Sequence, residues 1–425
     1  MHVPSSGRGR RHGTSRSEPF DRWFRYPAGF ASDYASLLLH QLRLPTAGLV
    51  VDPFTGSGVT GTAARRAGHS FFGVEAHPLI AELAALKLAA PPGDPSGLLS
   101  AAREFAERSA TTKRHVDLSS EASLTLRSFD PATLHRLVSL RNVIRAQADH
   151  AWHSYLKWAL LATLRDVASV RVGWPYQRPG TQRQPTFADP ISRFLQRVTW
   201  MAEDLREIEE RESRFLRSRV QQGDSRDDAN WAEVGKGMAH GCVTSPPYLN
   251  NFDYADATRL ELYFWGDVTS WSEMCSEVRS DMLTATTQQS SVGSARDARI
   301  LLQDYGEVGV QISEIADQLQ KERGNRPRGK EYDRVIPDYF VAIAQILRNL
   351  ASVLSSGAPA VLLVGDSAPY GVYVDTPGLI AKLGAEQGFV LEQDVILRHR
   401  GQRWAGNTTR HDVQLSERFV LLRRN

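Results

Sequence analysis

The chain of 425 residues is 41% hydrophobic and 23% charged, close to the averages of globular proteins. This composition argues against a wholly disordered chain, and the length allows a sizeable core with one or two insertions. The formal net charge of +3 permits a polyanionic partner but does not require one. With only Cys242 and Cys275 present, we expect neither a metal cluster nor a disulfide framework. No signal-like or membrane-length apolar stretch is found, so we expect a cytoplasmic protein without membrane contact.

Residues 1–20 are rich in Gly, Ser and Arg, which predicts a disordered basic tail. In residues 21–90, hydrophobic patterns typical of helices and strands alternate. The predicted elements are a helix at 31–42, a strand at 48–51, a helix at 59–67, a strand at 70–74 and a helix after Pro78. A β-α-β order of this kind predicts a parallel sheet with right-handed crossovers.

Residues 91–215 interrupt the alternation and predict a largely helical insertion. Asp130 followed by Pro131 is a typical helix start, because Asp caps the first turn and Pro fits the first helical position. A charged helix is predicted at about 191–220.

Strand patterns return in residues 216–425, which also contain a polar, irregular insertion at about 266–335. The predicted strands lie at 218–223, 241–244, 360–364, 389–398 and 417–423. The predicted helices lie at 256–264, 337–354 and 377–387.

Two short strings each follow a predicted strand. The first is DPFTGSG at 52–58, which opens a helix as a small-molecule-binding loop does, and the second is TSPPY at 244–248. Together they resemble the S-adenosylmethionine-dependent methyltransferases that modify exocyclic amino groups of DNA bases. The resemblance covers about 23–90 and 218–265, with a looser match from 337 onward. It implies an α/β, Rossmann-like class I methyltransferase fold with a mostly parallel seven-stranded sheet and a helical insertion.

The resemblance also implies which residues hold S-adenosylmethionine. It places Asp52, Phe54, Gly56 and Gly58 along the methionine half, Glu75 on the ribose, Asp224 on the adenine and Tyr26 beside the methionine moiety. Residues 21–90 would then be the cofactor-binding first part, and residues 216–425 the catalytic second part. Gly56, Gly58 and Gly61 also spell G-x-G-x-x-G, so a nicotinamide dehydrogenase is an alternative. The Asp52-Pro53-Phe54 string favours the methyltransferase, and a tight turn without a ligand is a further alternative.

The Ser245-Pro246-Pro247-Tyr248 string suits amine methylation. An exocyclic amine is a poor nucleophile because its lone pair is delocalised into the ring, and acceptors that hold its N–H bonds would localise that pair. In the resembled mechanism the acceptors are the Ser245 hydroxyl and the Pro246 carbonyl, on a loop that consecutive prolines make rigid. Tyr248 would stack on a base that has left the helix. The alternative is an ordinary polyproline turn.

Serine at the first position of this string is typical of cytosine-N4 enzymes, whereas adenine-N6 enzymes usually carry Asp or Asn. Cytosine N4 is therefore the preferred target, with adenine N6 as an alternative. An RNA guanine-N2 methyltransferase and a catalytically silent DNA-binding protein of this fold are further alternatives. Carbon-5 methylation is disfavoured, since it needs a cysteine nucleophile on a Pro-Cys loop.

The resemblance implies DNA as the partner, with a cognate restriction or defence protein as a further candidate. The sequence leaves the number of subunits open. Target recognition is expected in the insertion at 91–215. The segments that could contact phosphates are the arginine-rich tail, the loop at 171–183 with Trp174 and Tyr176, the basic segment at 321–334, and Arg398, Arg400 and Arg403.

Overall fold

The computed structural model describes residues 14–27, 29–111, 116–171, 182–211, 216–249, 253–287, 289–400 and 413–425. Seven strands form one sheet: β1 Leu49–Asp52, β2 Ser70–Glu75, β3 Ser218–Gln222, β4 Gly241–Thr244, β5 Pro359–Gly365, β6 Phe389–Arg400 and β7 Leu415–Arg424. Their order across the sheet is β3-β2-β1-β4-β5-β7-β6. The first five are parallel to one another, and β7 is antiparallel to both β5 and β6. This is the expected α/β, Rossmann-like methyltransferase fold with a mostly parallel seven-stranded sheet.

The α-helices precede, follow or connect these strands. They are α1 Ser32–Leu42, α2 Val59–Arg66, α3 Pro78–Leu88, α4 Pro95–Thr111, α5 Ser123–Ser128, α6 Pro131–Arg145, α7 His153–Val167, α8 Pro190–Arg211, α9 Arg259–Trp265, α10 Trp271–Glu273, α11 Val292–Leu301, α12 Gly306–Gly324, α13 Tyr332–Val353 and α14 Thr376–Glu386. Short 3-10 turns lie at Asp21–Trp23, Asp228–Trp231, Asp256–Thr258, Leu302–Tyr305 and Pro369–Gly371, and a π turn lies at Met274–Arg279.

Successive residues of the central strands point to opposite faces of the sheet, and each face has its own core. Val50 and Val243 pack with α1 and α2 on one face. Val51 and Cys242 pack with α13 and α14 on the other. This alternation follows from the two-residue period of a strand and gives a three-layer arrangement of helix, sheet and helix.

The sheet order changes direction between β1 and β4, because the chain runs outward to β2 and β3 on one side and to β5 on the other. In open α/β sheets, ligands bind beyond the carboxyl ends of the strands at such a switch point. Both sequence strings begin at the carboxyl ends of these two strands, β1 and β4.

Residues 91–215 contain α4 to α8, as the helical patterns predict, and these helices share a core around the fully buried Trp158 with residues of α3 and α9. Helix α8 ends at Arg211, earlier than the 220 expected, and β3 begins only seven residues later. Asp130 caps α6 by accepting a 3.0 Å hydrogen bond from the Thr133 amide, as predicted.

Three expectations from the sequence are wrong. The disordered tail does not extend to residue 20, because the Phe20 side chain is buried and its amide donates to the Asp204 carboxylate at 2.8 Å. The segment 266–335 is not irregular but contains α10, α11 and α12, which cover part of the core with one face and leave polar side chains outside. Helix α13 begins at Tyr332 and includes Pro337. Pro337 is the sixth residue of the helix and lacks the N–H that would otherwise donate to the Asp333 carbonyl.

Residues 1–13, with the arginines of the tail, lie outside the described residues. No helix in the described ranges is long and apolar enough to cross a membrane. Those ranges also contain no group of three His, Cys, Asp or Glu side chains placed to hold a metal ion.

Candidate active site

A cleft opens at the carboxyl edge of β1, β2 and β4, and the empty space in and above it, including open solvent, is about 730 Å³. Seven of the eleven residues predicted from the sequence line it: Tyr26, Phe54, Gly56, Glu75, Asp224, Ser245 and Pro247. The other four, Asp52, Gly58, Pro246 and Tyr248, lie within two positions of these residues in the chain but are not among those that line the cleft.

The glycine loop after β1 depends on two left-handed glycines. Gly56 has a φ of 52° and Gly58 a φ of 84°. A side chain at Gly58 would also approach Ala84 of α3 to 3.2 Å. Gly58 therefore lets α2 pack closely against α3, and it does not line the cleft. The buried Lys87 Nζ donates to the Ser57 carbonyl at 2.9 Å and so ties the glycine loop to α3.

Glu75 ends β2 with its carboxylate fixed by two backbone amides. One oxygen accepts from the Gly56 amide at 2.7 Å and the other from the His77 amide at 2.9 Å. Burial raises the pKa of Glu75 to about 7. A carboxylate has about four acceptor positions, so each oxygen can still accept a hydrogen bond from a ligand in the cleft.

Asp52 joins the two sequence strings. Its carboxylate accepts from the Phe54 amide at 2.9 Å and from the Thr244 hydroxyl at 2.6 Å. Burial raises its pKa to about 6. Asp52 is 1% exposed and is not among the residues that line the cleft, and the direct methionine contact implied by the resemblance stays a prediction. Asp52 fixes Thr244, the residue before Ser245, relative to the glycine loop.

Asp224 follows β3 and lies on the cleft wall, where the resemblance places the adenine. Its carboxylate already forms an ion pair with Arg226, whose Nη2 lies 2.6 Å from it, and Arg226 Nε lies 2.7 Å away. The next residue, Ser225, donates its hydroxyl to the Pro53 carbonyl and so ties this wall to the glycine loop.

Three hydrogen bonds hold the loop of residues 245–248 that follows β4. The Ser245 hydroxyl donates to the Leu363 carbonyl of β5 at 3.1 Å. The Tyr339 hydroxyl of α13 donates to the Pro247 carbonyl at 2.9 Å. The Tyr248 amide donates to the Tyr254 hydroxyl at 3.0 Å. These contacts fix the loop without relying on its prolines alone.

The Tyr248 ring is 9% exposed and lies against the final strands. Its hydroxyl donates to the buried carboxylate of Glu417, which also binds Arg398. The Arg400 guanidinium lies over the ring, 4.9 Å from its centroid. A base that stacks on Tyr248 must therefore use the other face of the ring or displace Arg400.

Several wall residues are not apparent from the sequence. Tyr254, Met282 and Ile346 line the cleft from segments that have no recognisable motif. Tyr339 acts on the Ser245 loop from 92 positions away. No signal in the sequence identifies these residues, whereas Thr244 could have been singled out because it directly precedes Ser245.

The cleft fits S-adenosylmethionine in its chemistry. Aromatic rings favour the positive sulfonium group, and Tyr26 and Phe54 provide them, while the Glu75 carboxylate can accept from the ribose hydroxyls. The Ser57 hydroxyl is buried and makes no hydrogen bond to the described residues. A polar group of this kind is satisfied when a ligand supplies its partner.

Comparison with known proteins gives relatives along most of the chain. The Type II methyltransferase M.AvaI from Nostoc sp. is 21% identical over 412 residues, which cover 90% of this chain and 82% of the relative. The Type II methyltransferase M.BsoBI from Geobacillus stearothermophilus is 22% identical over 413 residues, which cover 88% and 79%. No family model matches the chain. The relatives support an S-adenosylmethionine-dependent methyltransferase.

Solved structures align at low similarity. The rRNA methyltransferase aviRa from Streptomyces viridochromogenes gives a TM-score of 0.32 at 13% identity, covering 92% of this chain and 84% of that one. A geranyl diphosphate methyltransferase in complex with GPP and sinefungin gives 0.31 at 9% identity, covering 93% and 79%. TM-scores this low support no conclusion, and the sheet order of this chain is what assigns the fold.

Proposed function

We propose that this protein transfers the methyl group of S-adenosylmethionine to an exocyclic amino group in DNA, with cytosine N4 as the preferred target. Support for DNA comes from the Type II methyltransferases that align with about nine-tenths of the chain. Support for an amino target comes from the Ser245 loop and its position at the cleft.

The cofactor residues follow from the cleft wall. Glu75 accepts the ribose hydroxyls, since its oxygens already face the glycine loop and retain acceptor capacity. Tyr26, Phe54 and Gly56 lie beside the methionine half, and Asp224 accepts from the adenine amine. When bound, S-adenosylmethionine supplies an electrophilic methyl group. Asp52 and Gly58 shape the loop that holds it.

The single observation that carries the proposal is the hydrogen bond from the Ser245 hydroxyl to the Leu363 carbonyl. A hydroxyl has one proton, so donation to Leu363 leaves the Ser245 oxygen free to act only as an acceptor. An acceptor at this position can hold one N–H of an amino group and localise the nitrogen lone pair. The Pro246 carbonyl is the proposed second acceptor.

The rest of the loop orients the base. Tyr339 fixes the Pro247 carbonyl, and the rigid Pro246-Pro247 pair keeps the acceptors in place, which lowers the entropy cost of the reaction. Tyr248 supplies the stacking surface for a base that leaves the helix. Its ring is held in one orientation by the hydrogen bond to Glu417.

The experiment incubates the protein with isotope-labelled S-adenosylmethionine and either bacterial genomic DNA or total RNA, and then analyses the nucleosides by mass spectrometry. The proposal predicts labelled N4-methylcytosine in DNA. Labelled N6-methyladenine would support a DNA amino-methyltransferase but identify adenine as its target base. That result would mean that serine at position 245 does not select cytosine. Label in RNA guanine would replace DNA as the substrate, and no label in either polymer would indicate a silent DNA-binding protein.

The biological setting belongs to the same proposal. Type II methyltransferase is the name of both relatives, and we propose that this chain serves a restriction–modification or phage-defence system with a cognate partner protein. Loss of the methylated base from a deletion strain, together with sensitivity of its DNA to a nuclease encoded beside the gene, tests this setting.

A further inference from the structure

Residues 321–334, which run from the end of α12 to the start of α13, form a basic segment. It contains six basic and three acidic residues. The acidic residues pair with Arg323, Arg326 and Arg334. Lys321, Arg328 and Lys330 are exposed and make no ion pair with any residue that the structure describes. Three positive charges are thus available to an external anion.

A tyrosine in a strained backbone conformation holds this segment. Tyr370, in the loop after β5, has a φ of 55° and a ψ of 18°, in the left-handed region that aromatic residues rarely adopt. Its hydroxyl donates to the Lys330 carbonyl at 3.0 Å, and the Arg326 guanidinium lies 4.5 Å from its ring centroid. The Tyr332 ring meets it edge-on at 4.9 Å. Strain of this kind persists where the surrounding contacts maintain it, and it concentrates at functional sites.

Helix α13 links this cluster to the catalytic loop. Tyr332 and Tyr339 lie seven residues apart on α13, which places them on one side of the helix and separates them by roughly 10 Å. Tyr339 binds the Pro247 carbonyl, and Tyr332 contacts Tyr370. Roughly 10 Å of α13 therefore separates the contact of Tyr332 with the Tyr370 cluster from the contact of Tyr339 with the catalytic loop.

The other basic segments offer weaker surfaces. Arg183 donates to the carbonyls of Arg165 and Ala168 and points into the protein. Arg398 binds the buried Glu417, and Arg400 covers Tyr248. Trp174, Tyr176 and Arg403 lie outside the described residues.

We infer that residues 321–334 bind the phosphate backbone of duplex DNA beside the target base, with Lys321, Arg328 and Lys330 as the contacts. Tyr370 is a positioning residue that fixes the segment at the catalytic edge. This inference rests on the proposed function and names the surface by which the same site engages its polymer. Duplex DNA carries one negative charge per roughly 1.7 Å of its axis, which matches a cluster of basic side chains without requiring any base contact.

The test measures binding to a fluorescein-labelled DNA duplex of arbitrary sequence, about 30 base pairs long, across a range of salt concentrations. Arg328→Ala and Lys330→Ala should each weaken binding about fivefold to tenfold and lower the slope of log K against log salt by about 0.9. Lys236→Ala is the matched control. Lys236 is equally exposed but lies just before β4, at the amino edge of the sheet, so its removal should change neither quantity.

Tyr370 is tested by two substitutions. Tyr370→Gly removes the ring and suits the left-handed backbone, so the variant should melt no lower than the parent yet bind the duplex several-fold more weakly. Tyr370→Phe keeps the ring contacts and should bind almost as the parent does. Parent-like DNA binding by a folded Tyr370→Gly variant would overturn the positioning role.

The outcomes separate this inference from the proposed function. If the parent methylates DNA while Arg328→Ala and Lys330→Ala keep the full salt slope, the basic segment is not the DNA surface and the enzyme assignment stands. If the variants lose affinity as expected, their methylation rate at saturating DNA and their affinity for S-adenosylmethionine should equal those of the parent. Tighter binding of the protein to an RNA duplex than to the DNA duplex would refute the proposal that this segment binds DNA.

Discussion

Substituting Glu75 tests the cofactor site at the residue whose geometry is best defined. Its carboxylate accepts two backbone amides of the glycine loop and the following turn, at 2.7 and 2.9 Å, and is 8% exposed. If the same oxygens accept the ribose hydroxyls, Glu75→Ala removes charge-assisted hydrogen bonding worth about 1–3 kcal/mol in total. The dissociation constant for S-adenosylmethionine should then rise by roughly 5-fold to 150-fold.

The pH dependence of binding sharpens this prediction. Burial raises the pKa of Glu75 to about 7, and ribose hydroxyls donate better to the ionised carboxylate. Affinity should therefore fall as pH drops below 7, by no more than the loss that Glu75→Ala causes, and become constant at higher pH. Glu75→Gln should remove this dependence. Asp52→Asn should leave most of it in place, because Asp52 does not line the cleft.

Isothermal titration calorimetry is the assay, with circular dichroism melting to confirm that each variant is folded. Glu82→Gln is the matched control, since Glu82 lies on the neighbouring helix α3 and pairs with Lys157 at 2.7 Å, away from the cleft. Unchanged S-adenosylmethionine affinity in a folded Glu75→Ala variant would refute the ribose role. Preferential binding of a nicotinamide dinucleotide by the parent would favour the dehydrogenase alternative.

Three further predictions concern stability and the stacking ring. Burial lowers the pKa of His77 from 6.5 to about 3, so the unfolded chain binds more protons at this residue between these values. The His77 contribution alone should lower the free energy of unfolding by ~3 kcal/mol as pH drops from 7 to 4.5, opposite in sign to the contributions of Glu75 and Asp52. In urea titrations over the same pH range, the free energy of unfolding of the His77→Gln variant should fall less than that of the parent. Tyr248→Phe loses the hydrogen bond to Glu417 and should slow single-turnover methylation about tenfold, since the ring remains but is less well oriented. Asp204→Ala leaves the buried amide of Phe20 without its acceptor and should lower unfolding free energy by about 2–3 kcal/mol in denaturant titrations, whereas an unchanged midpoint would argue against this anchor.

Much of the sheet could be predicted from local patterns. Strands β1 and β5 are apolar runs buried on both faces, and the loop after β1 needs glycines for its left-handed turns. Their chain order with the intervening helices was sufficient to predict a parallel sheet. The insertion at 91–215 was also recognisable, because helical periodicity persists there without any strand pattern.

The remaining features depend on contacts between distant parts of the chain. Asp52 and Thr244 are 192 positions apart, so the hydrogen bond that makes Asp52 a link between the two strings cannot be read from either string. The helices within 266–335 were missed because their polar composition resembles that of a loop. Their apolar residues, such as Ile312 and Leu319, are buried only because α13 covers them. Local periodicity is a weak signal where tertiary packing decides the structure.

The most direct test of the central claim compares Ser245→Ala with the parent in two measurements on the same preparations. The first is S-adenosylmethionine affinity by calorimetry, and the second is the single-turnover rate of methyl transfer to duplex DNA. Because the Ser245 hydroxyl acts on the amine of the base, the account predicts nearly normal cofactor affinity and a rate lowered at least a hundredfold, the scale of one lost positioning or stabilising contact. A folded Ser245→Ala variant that methylates DNA at the parent rate would contradict the proposed mechanism.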